Sequence, residues 1–239
     1  ELRVVAFRAL RQARAEALPR YVEKLVTDPS AMVRREVILS LRDLPYSAKK
    51  EQWLKLADGY DGHYAWCVDA LGLAVAGDES AAYKDVMQRL NPRNAAPARW
   101  DKKLAGLVWR LHPPEAVDEL KARASSGSLS DKDRSKALTA LGFINTRDAV
   151  QAMIGLARNE DKTVAEQATY WLTFRQGNNW FALWDWKKSG IDLAHERKVA
   201  DMKVKRNMIL DPQMPLHEKK RNAFLTLMIQ HHEGALDMV

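Results

Sequence analysis

Apolar residues recur along this chain at three- and four-residue spacings, broken at short intervals by polar or proline-containing turns. The pattern is clearest from Asp28 to Leu41. There an acidic turn with a proline leads into Met32, Val33, Val37, Ile38 and Leu41, which form one buried helical stripe. The preceding segment has a matching stripe of Leu18, Tyr21, Val22, Leu25 and Val26. The two faces close on each other across the Thr27 to Ser30 turn as a helical hairpin. One hairpin cannot bury all of its apolar surface, so it needs neighbours.

The rest of the chain supplies them. Glu1 to Gln12 reads as the second helix of a hairpin whose first helix is missing, with Val4, Val5, Ala9 and Leu10 inward. Ser47 is a candidate N-cap for Ala48 to Ala57, and Asp58 to Gly62 is the turn before a helix carrying Tyr64, Cys67, Val68, Leu71 and Leu73 inward. Further pairs run from Glu79 to Leu90 with Ala96 to Leu111, and from Glu115 to Ala124 with a helix begun at Ser128 or Ser130. That last helix turns Ala137, Leu138, Leu141 and Phe143 inward. Pro97 suits a first helical turn. The fifth pair is Thr146 to Arg158 with Asp161 to Phe174. Second helices thus start near 30, 62, 96, 130 and 161, a period of roughly 31 to 34 residues, as in helical solenoids. No segment shows a strand pattern. The predicted fold is an all-α, right-handed α-α superhelix cut from a longer chain.

After Gly177 the rhythm changes. Trp180, Phe181, Trp184 and Trp186 cluster in seven residues and predict a hydrophobic lid on the last repeat, with a stacking platform for sugars or bases as the alternative. A long polar helix follows from Asp192 to Leu210, and a terminal helix begins near Leu216. The expected domains are repeats over 1–177, an aromatic and basic segment over 178–215, and a truncated helix over 216–239.

Charge adds one feature. The net charge is +7, and ten Lys or Arg against five acids between 187 and 221 put +5 of it in one segment. That excess, beside the tryptophans, makes nucleic-acid binding a function class to weigh, although the interleaved acids count against it. The single cysteine, Cys67, excludes an internal disulfide and reads as a buried, inert thiol. No phosphate loop, nucleophile elbow or metalloprotease motif occurs, and His63 and His112 stand alone near helix ends. His195-Glu196 falls on a charged helix, facing water.

The C-terminal stretch FLTLMIQHHEGALDMV differs. Helical spacing brings Met228, His231, His232 and Met238 toward one side, and thioether with imidazole is a soft donor set suited to copper, above all Cu(I). The competing reading is a buried face of Phe224, Met228, His231, Ala235 and Met238. Met228, Ile229, His231, His232, Ala235 and Met238 resemble the helix motif of the DUF305 family, which implies copper association.

Two wider resemblances complete the reading. Asp28, Val33, Arg34 and Val37 stand as in a HEAT repeat, an acid before the second helix and then Val-Arg in its first turns. The tetratricopeptide pattern does not recur. DGHYAWCVDALGLA, GLVWRLHPPEAVDEL and the Trp171 helix ending in GNNW resemble the HEAT-repeat middle region of large bacterial haem-binding, sorbosone or glucose dehydrogenase-like proteins. In that family a propeller precedes the helical array and a c-type cytochrome domain follows it. The resemblance implies an exported or periplasmic parent engaged in electron transfer or carbohydrate oxidation, with haem c held elsewhere in the parent. For this piece it implies a scaffold with no catalytic residue and no cofactor of its own, which holds other domains of the chain or a protein partner.

Overall fold

Short polar caps or prolines mark where several helices begin. In the computed structural model, which describes residues 1–13 and 16–191, eleven α-helices and no strand occur among the described residues. They are Leu2–Gln12 (α1), Leu18–Leu25 (α2), Ala31–Ser40 (α3), Tyr46–Asp58 (α4), Ala65–Ala74 (α5), Glu79–Leu90 (α6), Lys102–Leu111 (α7), Val117–Ala124 (α8), Asp131–Phe143 (α9), Arg147–Leu156 (α10) and Lys162–Gln176 (α11). Asp101, Ser130, Thr146 and Asp161 each cap a helix by accepting a hydrogen bond from a first-turn backbone N–H.

Two starts differ from the sequence expectation. Ser47 lies inside α4, which begins after Pro45, whereas Ser130, one of the two candidate caps, does cap α9. Pro97 belongs to a separate 3-10 turn, Pro97–Arg99. The extended backbone of Trp100 then turns its ring inward, where the indole Nε1 donates to the Ala95 carbonyl at 3.1 Å. Asp101 restarts the chain as α7, with its carboxylate accepting from the Leu104 N–H at 2.8 Å.

Burial follows the predicted stripes with local exceptions. Val33, Val37, Ile38 and Leu41 are buried, whereas Met32 is 52% exposed. In α1 the inward pair is Val4 and Phe7, while Val5 is 63% exposed and Ala9 is also exposed. The three-residue step from Val4 to Phe7 faces α3, and Val5 falls on the other side of the helix. Leu73 and Phe143, expected inward, are both exposed.

The helices sort into two layers. α1, α3, α5, α7, α9 and α11 contact one another in succession, each with the next in that series. α4 packs on α6 and α8 on α10, and the two sets meet through pairs such as α2 with α3, α6 with α7, α8 with α9 and α10 with α11. The odd-numbered helices from α3 start at residues 31, 65, 102, 131 and 162, intervals of 34, 37, 29 and 31. The second interval, the longest, is lengthened by the Pro97–Arg99 turn.

Polar side chains reach from each pair to the next. Arg34 donates to the Gly59 carbonyl at 3.0 Å, Lys50 meets Asp85 at 2.8 Å, and Arg134 meets Asp161 at 2.5 Å. Arg34 and Arg134 stand four residues after Ser30 and Ser130, the N-cap residues of their helices. Both guanidiniums therefore point forward from the same helical position, toward the turn before the next odd-numbered helix. Trp53 and Trp180 are fully buried, and their indoles donate to the Leu71 and Ile144 carbonyls, each at 3.0 Å.

By contacts the chain divides into Glu1–Ser189 and Gly190–Val239, and all eleven described helices lie in the first unit. The expected helices Asp192 to Leu210 and from Leu216 lie outside the described residues. No described helix is long and apolar enough to cross a membrane.

Candidate functional site

A cleft of about 390 Å³ is lined by the first turns of α7 and α9, by α8 and by the loop before α5. Local sequence explains its composition. The Trp100 to Asp101 restart brings Trp100 and Lys102 together, and the cap at Ser130 sets Lys132 and Lys136 one turn apart on α9.

Arg123, near the end of α8, is the unusual member, because it interrupts an apolar stripe of Val117, Leu120 and Ala124. Its residue is only 5% exposed. Its Nη1 donates to the Pro97 carbonyl, and the guanidinium lies 5.6 Å from the centroid of the Trp100 ring, a cation–π contact. Burial pushes its pKa below the ordinary arginine value, partly offset by Asp133, and the group remains a cation at neutral pH. Asp101 and Asp133 are the acids of the cleft, and each is engaged locally. Asp101 caps α7, and Asp133 accepts from the Ser130 hydroxyl at 2.7 Å. The cleft thus joins an aromatic wall to an excess of cations. It can take an anion with an apolar neighbour.

Of the residues singled out in the sequence as candidates for chemistry, His63 alone among the described ones lines this cleft. Cys67 is buried, and that burial pushes its thiol up to about 11, so it is no nucleophile at neutral pH. His112 closes α7 in the left-handed conformation, with φ 31°. Its ring packs 5.7 Å from Phe143, its Nδ1 lies 3.2 Å from the Trp109 carbonyl, and burial lowers its pKa. His63 lines the cleft and is exposed, while its backbone N–H donates to Asp61. In the aromatic segment Trp180 is buried and Trp184 lies 5.3 Å from Arg147, but Phe181 is 70% exposed. Among the described residues no three His, Cys, Asp or Glu side chains gather as a metal-holding group. Met228, His231, His232 and Met238, His195, and the cations from 197 to 221 lie outside the described residues.

Sequence reading missed Trp100, Arg123, Lys132 and Lys136 as a group. The signal present was the charge at position 123 inside an apolar stripe, since a buried cation demands a partner or a purpose. The convergence of α7, α8 and α9 had no signature in spacing.

No family model, curated protein or solved structure matches this chain.

Proposed function

We propose that this chain is a non-catalytic, HEAT-like helical-repeat scaffold. It holds partner domains of its own chain or a separate protein, within an exported dehydrogenase-like protein that carries haem c elsewhere. The observation that carries the scaffold reading is the unbroken succession α1, α3, α5, α7, α9, α11, tied forward by Arg34 and Arg134 from equivalent helical positions. A stack in which each pair leans on the next gives a long, rigid surface with regularly spaced side chains. Such a surface positions partners without chemistry of its own. The parent protein is inferred from the resemblance of the Trp66, Trp109 and Trp171 segments alone.

Nearest-neighbour stacking makes stability local, and that is the test. Removing the link from α9 to α11 with Arg134→Ala lowers native-state hydrogen-exchange protection in α9 to α11 and leaves α3 to α5 unchanged. An equal loss of protection throughout all the helices contradicts the repeat reading. Incubation of the purified chain with aldoses or alcohols and an artificial electron acceptor gives no turnover. Reproducible oxidation would overturn the non-catalytic reading.

A further inference from the structure

We propose that the cleft between α7 and α9 docks an acidic peptide segment of a protein partner. One carboxylate lies against Arg123 and the lysines, and an adjacent apolar side chain lies against the tryptophans. The proposal rests on the scaffold reading and names the chemistry the scaffold holds.

The first ground is the state of the cations. Arg123, Lys102, Lys132 and Lys136 all line the cleft, and none forms an ion pair with a described carboxylate. Arg123 matters most, because a buried guanidinium is the cation whose charge is least compensated by water. One of its nitrogens is held by the Pro97 carbonyl and its ring-facing side by Trp100, which fixes the orientation of the rest of the fork. A planar carboxylate is the natural complement of that fork. Both helix N-termini at the cleft are already capped, by Asp101 and by Ser130, so the attraction belongs to the side chains.

The second ground is the wall. Trp109 and Leu129, each partly exposed, offer apolar surface within reach of the cations, with Trp100 and Leu120 buried beneath them. An acidic residue beside an apolar one satisfies both, as inorganic phosphate does not. A nucleic-acid strand is the poorer fit. Its backbone places a charge about every 3.4 Å along one strand and needs a continuous cationic track, whereas Asp101 and Asp133 interrupt this one.

The test uses the full 239-residue chain and a fluorescein-labelled peptide of alternating glutamate and leucine, followed by anisotropy at low salt. Wild-type protein binds it, and the Gln-for-Glu version of the peptide binds at least tenfold more weakly. Lys132→Glu with Lys136→Glu reduces affinity at least tenfold. Lys55→Glu with Lys84→Glu, the same change of net charge at exposed positions on α4 and α6, leaves it within twofold. Arg123→Lys keeps the charge, loses the fork and weakens binding about tenfold, and circular dichroism confirms that it folds. The proposal is overturned if the peptide does not bind, if both double variants lose affinity equally, or if the Gln peptide binds as well. It is also overturned if inorganic phosphate or a labelled oligonucleotide binds the cleft more tightly than the peptide. The same preparations are assayed for aldose oxidation. Absent peptide binding with no turnover refutes the cleft alone, whereas turnover refutes the scaffold reading whatever the peptide does.

Discussion

At the scale of single residues, the array is held by a few buried polar contacts whose loss has a pH signature. Glu36 is buried on α3, and Arg8 of α1 donates to its carboxylate at 2.6 Å, with Arg11 and Arg35 at 3.9 and 4.0 Å. The Arg8 hydrogen bond, opposed by desolvation and aided by the surrounding charges, holds its pKa below the ordinary value of 4.5. A depressed acid pKa contributes stability that is complete above the unfolded value and is lost as pH falls through the folded one. Glu36→Gln therefore destabilises the protein by about 1–2 kcal/mol at pH 7, an amount reduced by the half-exposed position of Arg8. Denaturant titrations of both proteins show the difference at pH 7 and a shrinking gap below pH 4.5. A gap that stays constant down to pH 3 would mean that Glu36 acts by packing and not by charge.

At the scale of helices, close approach between odd-numbered neighbours depends on glycine where a large side chain crosses. A Cβ built on Gly142 of α9 would stand 2.5 Å from the Trp171 ring of α11, which is itself packed among Phe143, Tyr170 and Phe174. One on Gly72 of α5 would meet Arg110 of α7 at the same distance, but that neighbour is a flexible side chain. Gly142→Ala thus costs about 1–3 kcal/mol through overpacking. Gly72→Ala is nearly neutral, because the gain in helix propensity of about 1 kcal/mol offsets the shift of Arg110. Thermal denaturation of the two variants separates them, and equal midpoints would contradict the distinction between ring and flexible chain. Helix positions were legible from sequence because apolar spacing and caps such as Thr146 and Asp161 are local. Leu73 and Phe143 were misplaced because each lies on a helix flanked by two neighbours, where spacing defines a stripe but not its width. The break at Trp100 was hidden because Pro97 suits a helix start and a 3-10 turn equally. The cleft was illegible for a further reason. Residues 100, 123, 132 and 136 come from the loop before α7 and from α8 and α9, whose meeting is set by packing between layers.

At the scale of the whole molecule, successive helix pairs are tied by forward-reaching side chains, and the proposed scaffold function stands or falls on what they hold. The described residues contain a buried thiol, a packed histidine and a cationic cleft. The most direct test is native mass spectrometry, with an absorption spectrum and metal analysis, of the protein as its source makes it. The scaffold account predicts a species well above the 27.2 kDa of this chain, carrying additional domains or a bound protein partner, with haem absorbance if the dehydrogenase-like parent is right. A species of 27.2 kDa without a partner and with stoichiometric copper would contradict it, and would move the function to Met228, His231, His232 and Met238.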